Sequence, residues 1–201
     1  MQADILMALA GFAFVTSVTP GPNNMMLMAS GANFGLRRTM PHMLGVSLGF
    51  GVMVVVLGLG VDRVIQGSPA LADGLKWVSM AYMLWLAWKI ANAGRPTGIE
   101  TDVNRPQGAR PMTFLQAAAF QWVNPKAWAM ALGALSAYAA GAGGALGVGV
   151  VFALVNLPTV SLWAAMGQGL RRLLAEPGRL RIFNWAMAAL LVVSMLPVLF
   201  H

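Results

Sequence analysis

The sequence predicts an all-α integral membrane protein of six transmembrane helices, built as two inverted three-helix repeats, with helices 1 and 4 interrupted at mid-membrane. Three observations carry this expectation. Of 201 residues, 58% are hydrophobic and only 9% charged, whereas a soluble domain carries about 25% charged residues to wet its surface. The apolar residues gather into six stretches, each near the roughly 20 residues that a spanning helix needs. The basic residues cluster on alternate connections between those stretches.

In chain order the stretches are 5–34, 42–61, 75–93, 112–139, 145–170 and 182–200. The first is long because Thr19-Pro20-Gly21-Pro22-Asn23 interrupts it, and the fourth breaks at Asn124-Pro125-Lys126. The one sizeable linker, 94–111, is rich in Pro, Gly and Arg. The N-terminal stretch lacks a basic n-region and a cleavage site, so it reads as a retained first helix.

A net charge of +7 does not point to nucleic acid here, because clusters of Lys and Arg between apolar spans act as topology determinants. Arg37, Arg38, Lys89, Arg95, Arg105, Arg110, Arg171, Arg172, Arg179 and Arg181 fall on odd-numbered connections, against Arg63 and Lys76 on the other side. Ten against two places both termini outside the cytoplasm, in a multi-pass protein of the bacterial inner membrane. The absence of cysteine excludes disulfides, thiolate metal sites and dithiol redox chemistry.

The two halves echo one another. Leu44-Gly45-Val46-Ser47 resembles Leu146-Gly147-Val148-Gly149, and Pro22-Asn23 matches Pro125-Lys126 at nearly the same offset. The division is 1–93 for the first repeat, 94–111 for a cytoplasmic linker and 112–201 for the second repeat. Three helices per half is an odd number, so the second half enters the membrane upside down. Inverted repeats of this kind place substrate sites near the midplane, at interrupted helices.

Each break has a definite chemistry. A proline removes an N–H and displaces the carbonyl four residues earlier, which here frees the carbonyls of Thr16, Val18 and Gln121. In hydrocarbon such groups need protein partners or a wet cavity. Thr19 or Gly21 and Asn124 are acceptable N-caps, and proline suits the first helical position. Each break therefore starts a half-helix whose positive N-terminal dipole points into the midplane. Lys126 adds a full charge at a depth where ionisable groups are expensive and usually functional. Together these features suit a carboxylate, while freed carbonyls and amides suit an ammonium group. The expected substrate-binding set is Thr19, Pro20, Gly21, Pro22, Asn23, Asn24, Gln121, Asn124, Pro125, Lys126 and Asn156. For Asn156, beside Pro158, two readings stand open: a cavity wall or a bond between helices.

Other features read as structural. Gly31-xxx-Gly35 and Gly45-xxx-Gly49 have the spacing of close helix packing. Trp77, Tyr82, Trp85 and Trp88 read as packing and interface anchors, and His42 as a cytoplasmic rim residue.

Thr19-Pro20-Gly21-Pro22-Asn23-Asn24, followed by Gly35-Leu36-Arg37-Arg38, Gly45 and Gly49, resembles the opening motif of the LysE/RhtB family of amino-acid exporters. Ala81-Tyr82-Met83-Leu84-Trp85-Leu86-Ala87-Trp88-Lys89 is similar to that family's third helix, and Val123-Asn124-Pro125-Lys126 to its Asn-Pro-Lys motif. Pro-Gly-Pro-Asn-Asn, Gly45–Phe50 and Trp88-Lys89-Ile90-Ala91 most resemble a cysteine/O-acetylserine exporter branch. The resemblance implies efflux of amino acids from the cytoplasm, driven by proton antiport. One departure bears on coupling: many relatives carry Asp at the place of Asn156, and no Asp or Glu lies within any expected span here, which leaves the proton carrier open and uniport as an alternative.

Two other classes compete. An intramembrane enzyme would need a carboxylate pair, a zinc helix or a Ser/His/Asp set, and the spans hold none, so no enzymatic activity is expected. An accessory subunit would not need two opposed breaks at one depth. With no embedded acid to meet a cationic side chain, small zwitterions such as cysteine, O-acetylserine, homoserine or threonine are the expected substrates. The expected partners are that amino acid, protons as coupling ion, the lipid bilayer and a second copy in a homodimer. No cofactor, metal or nucleic acid is expected.

Overall fold

The computed structural model describes residues 2–61, 67–92 and 110–194. Among them are eight α-helices and no strand. The first expected stretch is two helices, α1 (Gln2–Val18) and α2 (Pro22–Phe34), bent by 59° at the Thr19–Gly21 break. Next come α3 (Leu36–Val56), continued by a π-turn over Leu57–Val61, and α4 (Pro69–Ala91). The fourth stretch is also divided, into α5 (Phe114–Phe120) with a 3₁₀ turn at Gln121–Val123, and α6 (Pro125–Tyr138). Then follow α7 (Gly144–Gly169) and α8 (Pro177–Val193). Most of the 94–111 linker and the end of the last stretch lie outside the described residues.

By length and hydropathy, Leu36–Gly60 and Gly144–Arg172 can each cross a membrane, and the bent α1–α2 pair makes a third span if counted as one. Several helices begin earlier than the apolar stretches do. Pro69 and Pro177 open α4 and α8 at the first helical position, where proline's fixed φ and missing N–H are harmless. The first two turns carry polar groups such as Asp73, Arg179 and Arg181, which a search for apolar residues passes over. Helix α3 begins at Leu36, six residues before the expected start, because Gly35 ends α2 with φ 80° and hands the chain directly on. Positive φ at that junction costs glycine little. The Gln168 Oε1 of α7 accepts from the freed Leu36 N at 2.5 Å.

That shift in α3 corrects the expectation for His42. The ring is 1% exposed rather than on the rim, and neither nitrogen has a partner among the described residues. It lies within α3 on the stripe of Gly45 and Gly49, both of which touch α5.

The packing is set by glycine. On α3, Gly45 sits against the Phe114 carbonyl and Gly49 against Ala118. At the α3–α7 crossing a Cβ built on Gly51 would lie 3.0 Å from the Gly149 oxygen, and one on Gly149 2.8 Å from the Gly51 oxygen. Ser47 Oγ donates to the Ala153 carbonyl at 2.6 Å, and Phe50 meets Phe152 edge-on at 5.0 Å, completing that seam. Gly31 plays the same part between α2 and α7, against the backbone of Ala164. Its expected partner in the small-residue motif, Gly35, serves instead as the left-handed helix end. Helix α4 shows a different surface: Trp77, Trp85 and Trp88 are largely exposed, and Lys89 Nζ lies 4.5 Å from the Trp85 ring centre. Apolar exposure of this kind fits a lipid-facing wall with an interfacial cation at its end.

Candidate functional site

The two breaks meet. Helix α1 ends at Val18, Gly21 is the extended N-cap of α2, and Pro22 takes the first position. Across from it, Asn124 is the N-cap of α6; its Oδ1 accepts from Lys126 N at 3.2 Å, and Pro125 again takes the first position. The link between them is a reciprocal pair of amides. Asn23 Nδ2 donates to Gln121 Oε1 at 2.9 Å, and Gln121 Nε2 returns a bond to Asn23 Oδ1 at 3.2 Å.

Every carbonyl that Pro20, Pro22 and Pro125 free finds a donor. The Thr16 oxygen accepts from the Thr19 hydroxyl at 2.9 Å, the Val18 oxygen from Trp163 Nε1 at 3.2 Å, and the Gln121 oxygen from Asn124 N at 3.3 Å. Asn24 Nδ2 donates at 2.8 Å to each of the Ser17 and Thr19 carbonyls, which the bend also releases. A broken helix is stable in an apolar surround only when its acceptors are met in this way.

Lys126 crosses from α6 to the α1 break. Its Nζ donates to Thr19 O at 2.6 Å, Thr19 Oγ1 at 2.9 Å and Pro20 O at 3.3 Å. The stem lies over Gly21, where an added Cβ would come within 2.6 Å of Lys126 Cδ. All three acceptors are neutral oxygens, and no carboxylate pairs with this ammonium among the described residues. The positive charge is solvated by dipoles at the C-terminal end of α1, as the macrodipole favours, but it is not neutralised.

These groups border a small cavity. Gly21, Asn23, Asn24, Gln121, Asn124 and Lys126 line it from the two breaks, and Asn156 from α7. Thr19, Pro20, Pro22 and Pro125 shape the breaks without lining it. The wall also holds Ser17, Phe50 and Met130, which sequence reasoning missed. Phe50 and Met130 look like ordinary core residues until the rotation of α3 and α6 is known, and Ser17 is a lone hydroxyl in an apolar helix. Among the described residues no group of His, Asp and Glu could hold a metal ion.

A helical membrane protein in which two broken helices face each other across a small polar cavity has the build of a transporter. The chain belongs to the family of LysE type translocators, whose model matches residues 14–197. It is a transporter and not an enzyme. It is 32% identical over 198 residues to the cysteine/O-acetylserine efflux proteins of Escherichia coli (strain K12) and Shigella sonnei (strain Ss046), a match covering 96% of this chain and 96% of each relative. No solved structure is significantly similar to it.

Proposed function

We propose that this protein exports small zwitterionic amino acids or their derivatives, of the cysteine, O-acetylserine, homoserine or threonine type, across the bacterial inner membrane by proton antiport. The observation that carries the reading is Lys126: an ammonium on a cavity wall, held by three neutral oxygens and lacking a counter-ion among the described residues. A substrate carboxylate would be its first anionic partner, next to the N-termini of α2 and α6. The efflux relatives support the direction and the substrate class. Inward movement of one proton per zwitterion supplies about 2.3 kcal/mol per 100 mV, enough for a roughly fiftyfold gradient.

Everted membrane vesicles test this. Energised vesicles containing the protein should accumulate labelled threonine, homoserine, cysteine or O-acetylserine above vesicles lacking it, and a protonophore should abolish the difference. No accumulation of any of the four would sink the exporter reading; accumulation indifferent to the protonophore would sink proton coupling alone.

The wider arrangement is part of the same proposal: six spans in two inverted repeats, 1–93 and 112–201, joined by the 94–111 linker. The Gly51–Gly149 contact and the Ser47–Ala153 bond support it: the alignment that pairs Gly45 with Gly147 pairs Gly149 with Ser47 and Gly51 with Ala153, so it exchanges the two contacts as a two-fold axis would. The ten-to-two bias of basic residues puts both termini outside the cytoplasm. A reporter fused after Phe200 should be active only in its periplasm-dependent form; activity only in a cytoplasm-dependent form reverses the orientation.

A further inference from the structure

We infer that Asn156 and Ser17 form the part of the cavity that reads the substrate's side chain, selecting an uncharged hydrogen-bonding side chain over an apolar one of similar shape. This rests on the transport reading above and assigns a specificity subsite within it.

Buried polar groups in proteins are, as a rule, hydrogen-bonded. The breaks obey that rule closely: Asn23 is paired with Gln121, Asn24 with two carbonyls, Asn124 Oδ1 with Lys126 N, and Lys126 Nζ with three oxygens. Two side chains on the cavity wall stand apart. Asn156 is 5% exposed and makes no hydrogen bond among the described residues, though its amide has two donors and a strong acceptor. Ser17 is 4% exposed and its Oγ has no partner among the described residues.

The serine is the exception among its kind. The buried hydroxyls of Ser30, Thr39, Ser47 and Thr159 are all bonded, most of them to a carbonyl one helical turn back or across a crossing. Ser17 has the same option in α1, the Ala13 carbonyl four residues earlier. That oxygen receives the neighbouring Thr16 hydroxyl instead, at 3.3 Å. A polar pair left unmet in an otherwise satisfied site is what a substrate-reading wall looks like before the substrate arrives, because a site that hydrogen-bonds a substrate group rejects the analogue lacking it.

The lining divides by chemistry. Lys126 and the two helix N-termini suit the substrate's carboxylate. Ser17 and Asn156 come from α1 and α7, with the apolar Phe50, Ala127 and Met130 completing the wall. No carboxylate lines the cavity among the described residues, so a cationic side chain would find no counter-ion there. Both unmet groups can donate and accept, which matches a hydroxyl, a thiol or an ester carbonyl.

Near-isosteric substrate pairs provide the test: threonine against valine, and serine against alanine, competing for transport into everted vesicles. Wild-type protein should prefer the hydroxyl member by on the order of tenfold or more. Ser17→Ala and Asn156→Leu should each lower that ratio several-fold, through loss of the hydroxyl substrate, while valine and alanine transport holds or rises. Membrane blots report insertion, and Ser17→Ala is conservative enough to decide the matter if Asn156→Leu is not inserted. An unchanged ratio in inserted variants, or a wild type without preference, overturns the subsite. A wild type that moves no amino acid of either pair also overturns the subsite, and the transport reading falls with it only if cysteine, homoserine and O-acetylserine are not moved either.

Discussion

Lys126→Met is expected to lower export at least a hundredfold while the protein still inserts. The ammonium is the one full charge on the cavity wall among the described residues, and methionine keeps the apolar stem that packs over Gly21. Leaving a desolvated charge without its partner costs about 3–5 kcal/mol, or two to more than three powers of ten in transport. Here the stranded partner would be the substrate carboxylate. The resting protein loses less, since the Thr19 carbonyl keeps its bond from Asn24 Nδ2; the Pro20 oxygen is left short of a donor, at a cost of about 1–3 kcal/mol. Lys126→Arg, which keeps the charge but not the shape, should retain part of the activity. Growth of a sensitised strain on toxic amino acid, read beside a membrane blot, gives the answer. Full protection by well-inserted Lys126→Met would remove the lysine from the mechanism.

Gly31→Leu should prevent accumulation of folded protein, and Gly31→Ala should lower the thermal midpoint in detergent by about 2–12 °C. A Cβ at Gly31 collides with the backbone carbonyl of Ala164, and the opposing Gly167 lies as close to the Met28 carbonyl. Neither neighbour is the tip of a side chain that can swing away. Relief requires α2 to part from α7, and overpacking of this kind costs about 1–3 kcal/mol even where some relaxation is available. At roughly 2–4 °C per kcal/mol for a chain of this size, the stated shift follows. Gly11→Ala is the control: nothing lies within 4 Å of an added Cβ there, and alanine improves helix propensity by up to about 1 kcal/mol. Equal midpoints for wild type and Gly31→Ala would show that the α2–α7 contact yields easily, and the crossing would lose its part in holding the break.

The breaks were legible because proline chemistry is local. Removing the N–H of Pro20, Pro22 and Pro125 names the carbonyls set free, and the requirement that each find a donor holds wherever the helices lie. The donors were a different matter. Trp163 reaches Val18 from 145 positions away, and nothing in either local sequence announces the pair. The starts of α3, α4 and α8 were misplaced for a related reason: hydropathy marks where hydrocarbon must be matched, not where helical hydrogen bonding begins. His42 moved from rim to interior with the start of α3.

By itself the sequence determined the solvent of this protein, its helical class, the two interruptions and the family. All of these depend on composition, on proline and glycine placement, or on motifs read along the chain. Only the tertiary structure decided that Asn23 and Gln121 exchange bonds, that Lys126 rests on the α1 carbonyls, and that Ser17 and Asn156 are left unmet. Whether a polar side chain is satisfied depends on the rotation and separation of helices far apart in sequence. Those are fixed here by glycine crossings such as Gly31–Ala164 and Gly51–Gly149, where backbones approach so closely that a single added carbon would move the walls of the cavity.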